Sequence, residues 1–308
     1  MKILPREDYA MHEERVAKLR PLVVKVVKEK IPVKDVAILL SGGVDSHMAL
    51  FSALKAGKRV TCYSFTLDDR ISSDSRIAEE TAAIFGLPFV RVRVPTDFAS
   101  MESYLKRLYY EYRLYEGFDM KPIKLEKSTI ETIYPMYYAI KAMAEDGFTH
   151  SLGGFWGDRF FALVRSDKKK LDTYQKDIME PARDIITSGA VVPQHFLWGS
   201  IAKCNGYKHL VQDLFNDIRV FDIFKNMHPM KEGNKPMQKA PYRLCYFDEF
   251  HQTTVRVHQS YQKGDTGISD LFPKLLLPSY LNKRSAKSVQ SIYNDLNQEH
   301  LDSLASIN

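Results

Sequence analysis

Six consecutive residues carry the densest chemistry in this chain: Ser41-Gly42-Gly43-Val44-Asp45-Ser46, set between the apolar run Val36-Ala37-Ile38-Leu39-Leu40 and a helical pattern that begins at His47. A strand, a glycine turn and a helix make a cradle for an anion. Glycines without a Cβ let backbone N–H groups converge, serine hydroxyls add donors, and the positive end of the following helix faces the same point. Such a loop suits a polyphosphate. Asp45 would repel that ligand unless a divalent cation lay between carboxylate and phosphate, so the motif implies bound Mg²⁺. The loop is not a Walker A sequence, because the lysine is missing and the glycines are too close together. A Gly-Gly turn after a buried strand, taken without its neighbours, is also an ordinary structural turn.

Other reactive residue types are scattered. His47 starts the helix after the loop and can reach phosphate, whereas His150 falls on a buried strand; both also read as structural histidines. Tyr109, Tyr110, Tyr112 and Tyr115 can line a pocket or pack one helix against the core. Asp158 follows the glycine turn Gly153-Gly154 and reads either as a surface aspartate or as a second carboxylate at the site. The three cysteines, Cys62, Cys204 and Cys245, are far apart and form no Cys-x-x-Cys pair, which argues against disulfides, zinc and iron–sulfur clusters.

The surrounding pattern predicts the elements that hold these residues. Val16, Leu19, Val23, Val24 and Val27 recur at near-helical spacing, interrupted by Pro21, ahead of Pro32 and the first strand. After the loop, Leu50, Phe51 and Leu54 form one helical stripe that Gly57 can cap. A second strand follows over Val60-Thr61-Cys62-Tyr63-Ser64-Phe65-Thr66, then a helix with Ile77, Ile84 and Phe85 stopped by Gly86 and Pro88. In a third strand, Val90, Val92 and Val94 alternate with Arg91 and Arg93. Met136, Ile140 and Met143 mark a further helix ended by Gly147, and Phe148 to Leu152 a further strand. This β-α series predicts an α/β fold with a doubly wound, mainly parallel sheet. Ligands of such sheets sit beyond the carboxyl ends of the strands, so the turn at Ser41, the strand end at Phe65 and the turn at Gly153 should converge. From about residue 160 the alternation stops. We therefore expect an α/β domain over 1–165 and a mostly helical C-terminal lobe over 166–308, packed on the sheet. Within the lobe, 228–242 reads as a long loop, either a lid or a disordered connection.

The 308 residues, 44% of them hydrophobic, are enough for a substantial core. No stretch approaches the roughly 20 apolar residues of a membrane span, and Arg6, Glu7, Asp8, Glu13 and Glu14 leave no signal-peptide core, so a cytoplasmic protein is expected. A net charge of +6 and a pI near 8.9 suit an anionic ligand, including ATP or a nucleic acid. Only Lys168-Lys169-Lys170 and Lys283-Arg284 with Lys287 form compact basic groups, and no nucleic-acid motif is present.

The hexapeptide resembles the PP-loop of the N-type ATP pyrophosphatase superfamily, Ser-Gly-Gly-x-Asp-Ser. Within that superfamily the chain is most similar to the synthetase domain of glutamine-dependent asparagine synthetases and β-lactam synthetases. Tyr63-Ser64-Phe65-Thr66-Leu67 looks like the family's second-strand ending, Thr132-Ile133-Tyr134-Pro135-Met136-Tyr137 like its Ser-Thr-Pro-Met-Tyr helix start, and Leu152-Gly153-Gly154-Phe155-Trp156-Gly157-Asp158 stands where it has Ser-Gly-Glu-Gly-Ser-Asp-Glu. The resemblance implies the adenine nucleotide α-hydrolase-like (HUP-type) fold. It makes Ser41, Gly42, Gly43 and Ser46 a pyrophosphate cradle, Asp45 and Asp158 Mg²⁺ ligands, and Leu39, Leu40, Phe65, Gly153 and Gly154 the enclosure of the adenosine of ATP. It also makes Lys287 a candidate catalytic lysine in contact with pyrophosphate; Lys263, in the glycine-containing stretch Gln262-Lys263-Gly264-Asp265-Thr266-Gly267, is a second candidate because such a stretch suggests a flexible loop near a ligand. Two departures stand out. Phe155 occupies the place of the family's assisting glutamate, and no glutaminase domain precedes the leading helix. The implied function is an ATP-dependent, AMP-forming ligase that adenylates a carboxylate or carbonyl oxygen of a small molecule and then forms an amide or related C–N bond. Its nitrogen would come from a separate amine or ammonia source. The alternatives are a PP-loop enzyme that modifies a nucleic-acid base, and a catalytically inactive ATP- or AMP-binding regulatory subunit.

Overall fold

The computed structural model describes residues 7–68, 70–110, 127–155, 157, 193–224, 239–255, 266–284 and 288–305. Its centre is a five-stranded parallel sheet of β1 (Asp35–Leu39), β2 (Arg59–Leu67), β3 (Phe89–Val94), β4 (His150–Gly153) and β5 (Leu210–Asp213). The strand order is β3-β2-β1-β4-β5. The direction of winding reverses between β1 and β4, so the crevice beyond their carboxyl ends is the switch point of a doubly wound sheet. This is the expected α/β architecture of a PP-loop, HUP-like fold.

Alternation along β1 divides the core. Val36 and Ile38, followed by Leu40, pack on one face against Leu19, Val23 and Val27 of α1 (Glu7–Lys30) and Met48 and Phe51 of α2 (Val44–Lys55). Ala37 faces the other side, with Tyr63 of β2, Val92 of β3, and Ala139 and Met143 of α5 (Lys127–Glu145). A β-strand sends successive side chains to opposite faces, and a parallel sheet covered on both sides needs apolar residues at nearly every position. α3 (Ser73–Ile84) follows β2, and α4 (Phe98–Tyr110) follows β3. Tyr109 is wholly buried among the helices, which gives it a packing role; Tyr112 and Tyr115 lie outside the described residues, as does the side chain of Tyr110.

Four features depart from the sequence pattern. α1 runs unbroken through Pro21, because its buried stripe against the sheet outweighs one lost backbone hydrogen bond. α5 begins at Lys127, so Thr132–Tyr137 lies inside the helix with Pro135. Strand β5 comes from the half read as helical, and its four residues pair with His150–Gly153. The loop expected over 228–242 gives way at its far end to α8 (Ala240–Cys245); residues 228–238 lie outside the described residues.

The chain beyond residue 193 covers both faces of the sheet through α6 (Pro193–Cys204), α7 (Ile218–Phe224), α8, α9 (Phe247–Gln252), α10 (Ile268–Arg284) and α11 (Val289–Ala305). Buried Glu131 of α5 accepts hydrogen bonds from Ser269 of α10 and Tyr293 of α11, both at 3.5 Å. Among the described residues no helix is long and apolar enough to cross a membrane. The α8–α9 junction is tied to α2 by a buried hydrogen bond between Ser52 Oγ and Tyr246 Oη, 2.9 Å apart. Removing one buried partner leaves the other without its bond, whereas removing both is nearly neutral. Tyr246→Phe should therefore lower unfolding stability in urea by about 1–2 kcal/mol, and Ser52→Ala on that background should add little further loss.

Candidate active site

The site is built at the switch point. Leu40 N–H donates to Tyr63 O at 2.8 Å, extending the pairing of β1 and β2 to the edge of the loop. α2 then begins with Gly43 as its N-cap and no side chain capping it, and Asp45 lies in its first turn. The N-terminal amides of α2 thus face the crevice with the positive end of the helix dipole behind them. The serines brace the loop. Ser41 N–H donates to Ser46 Oγ at 3.1 Å, Gly43 N–H donates to Ser41 Oγ at 3.2 Å, and the Ser46 hydroxyl lies 3.0 Å from Gly43 O. From α3, Asp74 Oδ1 accepts the Gly42 N–H at 2.9 Å.

His47 turns away from the crevice. Its imidazole is fully buried, with Nδ1 2.9 Å from Gly43 O and Nε2 2.9 Å from Thr81 Oγ1. Loss of solvent, and secondarily the nearby Arg243 charge, push its pKa down to about 4 against the Gly43 carbonyl, which favours the charged ring. Neutral His47 therefore donates from Nδ1 to Gly43 O and accepts the Thr81 hydroxyl, pinning the loop to α3. His150 sits at the start of β4 beside the Thr149 hydroxyl, 2.9 Å away, with no part in the crevice.

Opposite the loop lies the turn after β4. A Cβ on Gly154 would fall 2.2 Å from Asp45 O and 2.6 Å from Ser46 N. One on Gly157 would fall 2.5 Å from Asp45 Cγ. The two turns therefore meet backbone to backbone, as expected from the sheet. Phe155 folds its ring over Gly153, where a Cβ would lie 2.1 Å from Cε2, and it packs against the cores of both faces. Leu39 and Phe65 share the α5 face and are half-buried. Leu40 differs: its side chain, 2% exposed, is packed in the α1–α2 core on the opposite face, which leaves its backbone as the group nearest the crevice. Asp158, Lys263 and Lys287 lie outside the described residues.

A cation that sequence reasoning missed completes the arrangement. Lys239, just before α8, sends its ammonium to Asp45 Oδ2, with Lys239 and Asp45 side chains 4% and 15% exposed. Its backbone has φ 61°, a left-handed conformation uncommon outside glycine. Arg243 follows one turn later on α8, half-buried, its pKa lowered by desolvation. Pro241 at the first turn of α8 is the local sequence signal for a helix start. Nothing local links it to a loop 194 residues away.

These contacts test what the site can hold. Asp45 already binds a cationic group, and Gly42 N–H already binds a carboxylate oxygen; a divalent cation and a phosphate oxygen ask for the same partners. Among the described residues no group of three or more His, Cys, Asp or Glu can hold a metal ion. The donor set fits Mg²⁺, which keeps few protein ligands and relies on substrate phosphates.

A family model described as asparagine synthase matches residues 18–187, more than half of the chain. The chain belongs to the asparagine synthase family. The matched stretch is that family's PP-loop synthetase domain, and membership makes the protein an ATP-dependent synthetase of the asparagine synthetase family. Asparagine synthases use ATP, typically with Mg²⁺. A search of curated proteins finds no significant match. Phe155 falls inside the asparagine synthase match, whereas Lys239 falls beyond its end.

Two outcomes follow from this geometry. Gly154→Ala should destabilise the fold by about 1–3 kcal/mol in chemical denaturation and abolish nucleotide binding, since the added methyl meets backbone on the facing turn. Gly199→Ala in α6, where an added Cβ meets nothing within 4 Å, should be neutral or slightly stabilising. For His47, the unfolded chain binds the proton near the ordinary value of 6.5 and the folded chain only near 4. Its contribution is complete above 6.5 and is lost as pH falls towards 4, on the order of 3 kcal/mol. Urea midpoints measured from pH 7 to 4.5 should fall more steeply for wild type than for His47→Gln.

Proposed function

We propose that the protein is an AMP-forming ligase of the ATP pyrophosphatase type. The observation that carries this reading is the meeting of the α2 N-terminus, Asp45 and the buried Lys239 ammonium at the sheet's switch point. In this reading the oxygen of a small-molecule carboxylate or carbonyl attacks the α-phosphorus of ATP. The bond from that phosphorus to the bridging oxygen breaks, and pyrophosphate leaves. A nitrogen nucleophile, from ammonia or an amine supplied separately, then attacks the activated carbon, and AMP departs with the oxygen.

The residues take their roles from their surroundings. Ser41, Gly42, Gly43 and Ser46 hold the pyrophosphate through loop amides and the α2 N-terminus. Leu39 and Phe65 offer an apolar wall for adenine, beside the backbone of Gly153 and Gly154. Asp45 binds Mg²⁺, with Asp158 as its partner carboxylate, and the ion would offset charge on the departing phosphates. Lys239 contacts pyrophosphate, with Lys287 and Lys263 as further candidates for the same task. Lysine suits the task as a point charge whose attraction grows where water is excluded. A cytoplasmic setting agrees with the use of ATP.

Phe155 favours one rival, an ATP-binding subunit without catalysis, because it puts no acid or base at that turn. Pyrophosphate release assayed across a panel of carboxylate substrates separates the two. The ligase should release pyrophosphate with at least one substrate, and Asp45→Asn should slow this about 10²–10³-fold. Stoichiometric ATP binding with no pyrophosphate release would favour the rival, and absence of ATP binding would overturn both.

A further inference from the structure

We infer that Lys239 and a divalent cation are alternative partners of Asp45, so that nucleotide and metal enter this site only together. The inference rests on the reading of the loop as an ATP site. The Asp45 carboxylate has little room for two cations at once: Gly157 packs against its Cγ, Gly154 packs against its main chain, and the Lys239 ammonium lies on Oδ2. Both members of the pair are largely removed from solvent, and in such surroundings an ion pair resists separation because each charge loses its compensation.

Each ligand alone meets a barrier of sign. A free divalent cation would have to displace the ammonium from Asp45 and then sit beside it, with the half-buried Arg243 one helical turn further along. A free polyphosphate would gain Lys239 but would face the Asp45 carboxylate. The metal–nucleotide complex resolves both at once. Its phosphate oxygens take the ammonium and its cation takes the carboxylate, and lysine can change partners by rotating its flexible four-carbon stem. Linkage then requires that nucleotide raise metal affinity by the same factor by which metal raises nucleotide affinity. Lys239 therefore guards against unproductive binding of bare metal as well as serving pyrophosphate.

The test is a titration of Mn²⁺, detected by its electron paramagnetic resonance signal, into wild type, Lys239→Met, Asp45→Asn and the double variant, without nucleotide and with α,β-methylene-ATP. In nucleotide-free protein, Lys239→Met should bind Mn²⁺ at least about tenfold more tightly than wild type. Asp45→Asn on that background should erase the gain. The factor by which the analogue tightens Mn²⁺ binding should be large in wild type and smaller in Lys239→Met. Equal nucleotide-free affinities in wild type and Lys239→Met would overturn the inference. Should Lys239→Met not fold, wild type decides alone: an Asp45-dependent site filled below about 1 mM Mn²⁺ without nucleotide would overturn the proposal, and its absence supports it. Failure of the analogue to bind under any condition would sink the ATP reading, while the nucleotide-free comparison would still judge the competition at Asp45.

Discussion

Where the loop after β1 meets the turn after β4, main chain touches main chain, and the rest of the site is arranged around that contact. Parallel pairing of Ile38 with Leu152 brings the two strand ends level. Gly154 then lies so close to Asp45 and Ser46 that no side chain fits between them. The approach fixes the point where α2 must begin and forces its first amides toward the crevice. Ser41 and Ser46 hold the loop's internal bonds, while Asp74 and Thr81 of α3 brace it through Gly42 N–H and the His47 ring. The loop is held in place before an anion arrives, and what must change on binding is the partner of Gly42 N–H, which is Asp74, and that of Lys239, which is Asp45.

Charge is distributed with the same economy. Lys239 pairs with Asp45, and the Arg243 charge acts on buried His47. Neutrality of His47 follows from burial and from the Arg243 charge, so the local excess of positive charge comes from Lys239, just before α8, and Arg243 within it. This excess is what a polyphosphate requires, and Asp45 keeps it partly balanced in the fold itself. The strained backbone of Lys239 fits a residue whose place is set by this pairing rather than by its own conformational preference.

Much of this was readable because it is local. The β-α series, the loop and the glycine ends of α2 and α5, where Gly57 and Gly147 take φ of 76° and 86°, follow from periodicity and turn chemistry. What escaped detection is set by partners distant in sequence. β5 has four residues and an exposed Leu210, and it is a strand because β4 leaves an edge to pair with. α1 survives Pro21 for the sake of a buried stripe. Lys239 looked like one of several lysines in a loop, and its importance comes from a contact that only folding creates. Leu40 illustrates a finer limit: the alternation of β1 continues one residue past the strand and turns its side chain to the opposite core.

Phe155 bears on the second half of the proposed reaction. Its ring lies against Gly153 and joins the cores of both faces, so this position is devoted to packing. A base at this turn would remove a proton from an ammonium nucleophile; an aromatic ring cannot. An apolar ring at such a turn would disfavour water near an activated carbon and lower the basicity of any amine that enters, since desolvation penalises its charged form. On the proposed reading, such a wall would suit a nucleophile that enters neutral, either ammonia or an amine of low basicity. Discrimination between amine and water would then rest on exclusion rather than on proton transfer at this position.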